Sequence, residues 1–290
     1  MRSIEIIGKS IGLTIAIIYL LFFQGNEVFE WGLFGIILLT IGIPHGALDH
    51  LLLNPKISNQ GLVKFIFKYL AIISLYLIVW IFLPVPALLA FLLMSAYHFG
   101  QSHFLGIALQ SRKKTTYLVT GVFYLSVIFW GDFDHTATIL IGIVDISPLA
   151  NFGWPIILGS FLLSNVLLIK NSFSDWRWYS IEMLIIGVLL YQLPLLVGFI
   201  IYFGFWHALP SMTEEYQSLK WYLGKDRLKN FIKRMMPFTA ASLGGMWVIL
   251  AVFYPGSEPE ELVLLFFILV SLISAPHIWY MNLFLETKKN

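Results

Sequence analysis

EWGLFGIILLTIGIPHGALDHLLL, residues 30–53, is an apolar run longer than the ~20 residues that a helix needs to cross hydrocarbon. Comparable runs fall near 5–23, 62–83, 86–109, 115–130, 152–169, 177–193, 195–212, 236–254 and 261–285. A shorter one, 136–144, cannot cross and is expected to lie in or dip into the membrane interface. Residues are 59% hydrophobic and only 12% charged, and the mean hydropathy is +0.83, which excludes an ordinary soluble globular protein. The expected fold is therefore all-α, a polytopic membrane helix bundle of about ten transmembrane helices. No soluble domain, internal repeat or low-complexity segment stands out, so 1–290 reads as one membrane-embedded domain. Arg2 and Lys9 precede the first run as in a signal peptide, but a small-residue cleavage site is missing, and a retained helix is expected.

The charges orient the bundle. With ten spans, all 18 lysines and arginines fall on the side of the N-terminus, including Lys56, Arg112, Lys170, Lys220 and Lys288. The opposite loops carry acids: Glu27, Glu30, Asp132, Asp134, Asp145, Glu258, Glu260 and Glu261. That bias predicts both termini in the cytoplasm of a multi-pass protein of the cell (inner) membrane. The segment 213–235 becomes the longest cytoplasmic loop, where basic residues alternate with Trp221, Tyr222, Leu228 and Phe231 as on anionic headgroups. No nucleic acid is expected as a partner.

Four histidines lie deep in these runs: His45, His98, His207 and His277. A metal-capable polar side chain in hydrocarbon is expensive and marks a functional site by default. His45 and His277 each precede the next cation by 11 residues, His207 by 13 and His98 by 14. At ~1.5 Å per residue the four share a layer roughly 16–21 Å above those cations. Each could donate to a carbonyl on a neighbouring helix; a common depth favours one metal centre. Pro44, Pro210 and Pro276 adjoin three of them and free backbone carbonyls. Asp49, four after His45, is the deepest carboxylate on its segment, and could orient an imidazole or ligate directly. His50 reads as an outer partner or an interfacial residue, His103 as an alternative ligand, His135 as solvated and Glu182 as interfacial.

Several imidazoles, at most one carboxylate and no cysteine suit a redox-active transition ion such as Fe(II) better than Mg²⁺ or Ca²⁺. Aromatic residues share the layer, and Tyr97, Phe99, Tyr202, Trp206 and Trp279 could line a tunnel for a long flat hydrocarbon. Other classes remain open at this point. A di-iron desaturase needs HxxxH and HxxHH boxes that are absent, and a bis-histidine haem needs facing pairs. An ion- or proton-coupled transporter would also explain buried His and Asp. A retinal-binding rhodopsin is excluded because no lysine lies at membrane depth for a Schiff base.

PHGALDH (44–50), HFG (98–100), FWH (205–207) and PH (276–277) resemble the Brp/Blh family of membrane β-carotene 15,15′-dioxygenases, in order and through nearly the whole chain. The resemblance implies cleavage of β-carotene by O₂ at a non-haem Fe(II), giving two retinals, with the lipid bilayer as surroundings and a retinal-binding rhodopsin as product acceptor. It implies His45, His98 and His207 as ligands, with His277 the preferred fourth and His103 second. Two departures stand out. Ser211 occupies a position where many members carry a further histidine, and His103 one where some carry an acid.

Overall fold

The computed structural model describes residues 2–107, 109–171 and 175–289; residue 108, inside the run 86–109, lies outside them. Every element among the described residues is helical. In order they are α1 (Arg2–Ile18), α2 (Glu27–Ile37), α3 (Asp49–Leu53), α4 (Asn59–Phe82), α5 (Pro84–Ser102), α6 (Lys113–Gly131) and α7 (Phe133–Leu140). Beyond these come α8 (Gly153–Lys170), α9 (Trp176–Tyr191), α10 (Leu195–Tyr202), α11 (Leu209–Leu219), α12 (Arg227–Phe253) and α13 (Pro259–Lys289).

Each of the ten apolar runs contains helix, the run 86–109 only as far as Ser102, but among the described residues only seven helical stretches are long and apolar enough to cross a membrane. The shortfall has a composition behind it. α5 ends in Tyr97, His98, Gln101 and Ser102, which dilute its apolarity, and α9 is only 16 residues long. α6 qualifies only with α7, from which it turns by 93°, so the run at 136–144 is the second limb of a sharp bend. Outward-facing side chains such as Leu75 and Phe82 on α4 are 65% and 74% exposed, as suits helices whose solvent is lipid.

The chain forms two compact units, Met1–Gly42 with Ser95–Ser211, and Ile43–Met94 with Met212–Asn290. In the first, α10 packs against α1, α2, α6 and α9, and α6 lies along α8. Gly100 and Gly121 let α5 and α6 touch backbone to backbone. A Cβ on Gly100 would overlap the Tyr117 carbonyl, and one on Gly121 the Ala96 carbonyl. In the second, α13 packs against α3, α4 and α12. Trp80 Nε1 donates to Ser271 Oγ at 2.9 Å and the Tyr69 hydroxyl to the Ile273 carbonyl at 3.2 Å, two α4–α13 ties.

Two of the expected straight spans are broken. The run 30–53 passes from α2 into a π-helical turn at Leu38–Gly42, then a 3₁₀ turn at Pro44–Gly46, then α3. Between α10 and α11 lies a π-helical segment, Phe203–Ala208. Both precede a proline, Pro44 and Pro210. A proline offers no N–H to the carbonyl four residues earlier and its ring crowds that carbonyl. Those carbonyls belong to Thr40 and Trp206, each inside its π segment, so the wider turn absorbs the missing bond. The segment after His207 also continues as α11 to Leu219, so 213–219 is helix and not loop, and Glu214 and Glu215 are buried. At its other end the expected loop is α12, which starts at Arg227.

Candidate functional site

In the first unit, α5 carries His98 and, one helical turn on, Ser102 on the same face. The His98 and His207 rings lie 4.7 Å apart at 74°. Ser102 Oγ is 3.0 Å from His207 Nδ1 and 2.7 Å from the Phe99 carbonyl, to which it donates. A hydroxyl has one proton; with that proton on Phe99, Ser102 accepts from His207 Nδ1–H. In that tautomer the lone pair of His207 sits on Nε2. Sequence reasoning passed over Ser102, although its i+4 spacing from His98 was the available signal. Phe99 packs on His207 at 4.6 Å and Phe203 at 5.5 Å, while Phe199 stacks on Phe203, which gives the imidazole an apolar wall.

In the second unit, His45 and His277 form the other pair, with rings 4.8 Å apart at 86°. Asp49 does not turn to His45, its neighbour one turn away in sequence, because the 3₁₀ turn and the break at Ala47–Leu48 redirect it. Its oxygens lie 3.0 and 3.1 Å from His277 Nδ1. The carboxylate accepts the Nδ1 proton, which leaves the lone pair on Nε2, the arrangement that carboxylate–histidine–metal sites use. Gly46 makes room for this ring: a Cβ there would lie 3.0 Å from His277 Nδ1. The PHGALD stretch thus supplies one imidazole, the space for a second and the carboxylate that aims it.

The remaining sequence candidates separate. His103 falls in the turn after α5, with Nε2 3.0 Å from the Tyr202 hydroxyl and its ring stacked on Tyr124 at 4.6 Å. His50 packs between Phe238 and Phe65. Tyr97 joins a cluster with Phe104, Leu109, Tyr117 and Leu168. Tyr202 is fully buried beside His103, and the Trp206 indole is bonded to Glu182. Trp279 faces outward, 62% exposed, so the structure does not bring it to an interior wall. Of the aromatic set, Phe99 packs on one of the four histidines.

One buried carboxylate lies outside the sequence candidates. Glu215 is 0% exposed, and neither of its oxygens has a hydrogen-bond partner among the described residues. In sequence it sits in TEEYQSLK (213–220), whose polarity reads as a loop. Glu182 is an ion-pair partner of Lys9 at 2.7 Å.

A family model described as beta-carotene 15,15′-dioxygenase matches residues 36–285. The chain is 29% identical over 193 residues to a beta-carotene 15,15′-dioxygenase from an uncultured marine bacterium, covering 64% of this chain and 69% of that protein. It is 24% identical over 277 residues to a probable beta-carotene 15,15′-dioxygenase of Halobacterium salinarum, covering 83% and 80%. No solved structure matches.

Proposed function

The chain belongs to the β-carotene 15,15′-dioxygenase family, and on that premise we propose that its buried histidines hold one iron ion at which the polyene is cut. The reaction is oxidative cleavage of β-carotene: the 15,15′ double bond breaks, and each carbon takes one oxygen atom of O₂ to give two retinals. Family membership decides for an enzyme over a transporter.

The reading takes His45, His98 and His207, each of them buried, as ligands. The observation that carries the reading is the Ser102 hydroxyl at His207 Nδ1. Ser102 takes the Nδ1 proton, so a neutral imidazole in an apolar wall turns its lone pair, on Nε2, to a ligand. The fourth donor in this reading is His277, which Asp49 prepares in the same way; His103 is engaged with Tyr202. Neutral imidazoles without thiolate suit iron, whose part is to activate O₂ beside the double bond. Phe99 and Phe203 align the polyene by shape, since a hydrocarbon offers no hydrogen bond to read, and keep water out. No side chain need move a proton, because the cleavage transfers none.

The reading includes ten crossings of the cell's inner membrane with both termini cytoplasmic, supported by the one-sided lysines and arginines. Its product is delivered in the bilayer, where a retinal-binding rhodopsin would receive it. Purified protein given Fe(II), O₂ and β-carotene should yield retinal, with no quantity of longer or shorter apocarotenals. Chelation should stop the reaction and Fe(II) restore it. Full activity in protein rigorously stripped of iron would overturn the metal assignment.

A further inference from the structure

Lys9 and Glu182 are ionisable residues set in apolar helices, α1 and α9, and each has found a partner inside the first unit. Lys9 Nζ lies 2.7 Å from Glu182 Oε1 and 2.9 Å from Glu5 Oε1, and its side chain is only 16% exposed. The same Glu182 oxygen accepts the Trp206 indole N–H at 2.7 Å. Trp206 is the residue before His207, inside the π-helical segment Phe203–Ala208. Its ring is held on a second side by α1: a Cβ on Gly12 would lie 2.8 Å from Trp206 Cζ3 and from Phe205 Cδ2. Gly8, one turn earlier, likewise admits Leu209, whose Cδ2 a Cβ would overlap. Two glycines four apart let the α1 backbone lie directly on the wide turn.

A π turn is a local expansion that relaxes to α-helix unless its surroundings hold it. Losing the extra residue of the turn would rotate the downstream helix by one residue's share of a helical turn, roughly 100°. A ligand on that turn needs its direction fixed from outside. We propose that Glu182 is the anchor: its oxygen, which also meets Lys9, accepts the Trp206 N–H and through Trp206 fixes the π turn and so the direction of the His207 imidazole. Glu182 and Trp206 are positioning residues, acting through a histidine they do not replace. The inference rests on the metal reading of His207. It also explains charged residues in membrane helices, which are kept where they have work and a partner.

The full-length protein in detergent, loaded with Co(II) as a visible reporter of ligand geometry, tests it. Glu182→Gln and Glu182→Leu both remove the counter-charge of Lys9 at similar size, but only the amide keeps an oxygen for the Trp206 N–H. Glu182→Leu should bind Co(II) about tenfold more weakly, in the range for loss of an outer support of a ligand. Its visible bands should shift, and the segment 203–209 should lose protection from hydrogen exchange. Glu182→Gln should retain the wild-type bands and protection. Should Glu182→Leu fail to fold, Trp206→Phe removes the donor with both charges in place and should shift the bands likewise. Wild-type bands and protection in either Glu182→Leu or Trp206→Phe would overturn the anchor. If the wild type itself takes up no Co(II), the metal reading falls, and exchange of 203–209 alone then upholds or overturns the anchor.

Discussion

In the proposed metal site, Ser102 acts without touching the metal. Its hydroxyl is 3.0 Å from His207 Nδ1, and its own proton is committed to the Phe99 carbonyl at 2.7 Å. Without that oxygen the imidazole loses both its preferred tautomer and its hold on orientation. Ser102→Ala should therefore weaken Co(II) or Fe(II) binding by about 10- to 100-fold, read by metal titration, with membrane insertion unchanged. An unaltered affinity would remove Ser102 from the site. The four histidines were legible in sequence because polar rings in hydrocarbon stand out against their neighbours. Ser102 was less so, since a serine in a membrane helix usually bonds its own backbone, as this one also does. Glu215 was illegible for the opposite reason: its polar neighbours in TEEYQSLK hid a carboxyl that is wholly buried. The partner of Asp49 could not be read either, because His277 is 228 residues away.

Helices were legible as apolar runs, and their breaks only as prolines. Pro44 and Pro210 announced a disturbance but not its form; the π turns arise from where the Thr40 and Trp206 carbonyls must go. A tie of comparable reach governs the start of α10. Pro194 precedes it without a side-chain cap, and the Leu195 N–H is instead taken by Asp132 Oδ2 at 2.9 Å, from the corner between α6 and α7. His135 Nδ1, at 3.4 Å, and the Leu195 N–H together hold the Asp132 carboxyl below the usual carboxylate range. A depressed carboxyl contributes stability above its unfolded value, near pH 3.9, and loses it as pH falls through the lower folded value. Asp132→Ala should thus be less stable at neutral pH, by about 0.5–2 kcal/mol for a lost cap. Melting curves of both proteins in detergent should converge as the medium is taken below about pH 4. A gap that persists unchanged in acid would mean that the carboxylate is not what holds Leu195.

The molecule as a whole is ordered by charge as much as by apolarity. Seven stretches among the described residues are long and apolar enough to cross, and the other apolar helices, α5, α6 and α9, fall short where they carry polar chemistry or are short. Hydropathy alone undercounts a bundle whose helices hold a site, because each buried polar residue lowers the score of the helix that bears it. The lysines and arginines do not suffer this bias. Lys9 is spoken for by Glu182, but under ten crossings the remaining cations still fall on one side, at helix ends and in loops, and Asp132, Asp134 and Asp145 fall on the other. Moving the segment 133–140 from a bent limb to a full crossing would invert everything after it and place Lys170, Lys220 and Arg234 among the acids, against the positive-inside rule. Reporter fusions after residues 60 and 290 should therefore report cytoplasm, and one after 132 the opposite side. A fusion after 145 decides the bent pair: on the side of 132 it keeps α6 and α7 as one crossing with a folded end. On the side of 60 it would overturn the proposed ten-span arrangement.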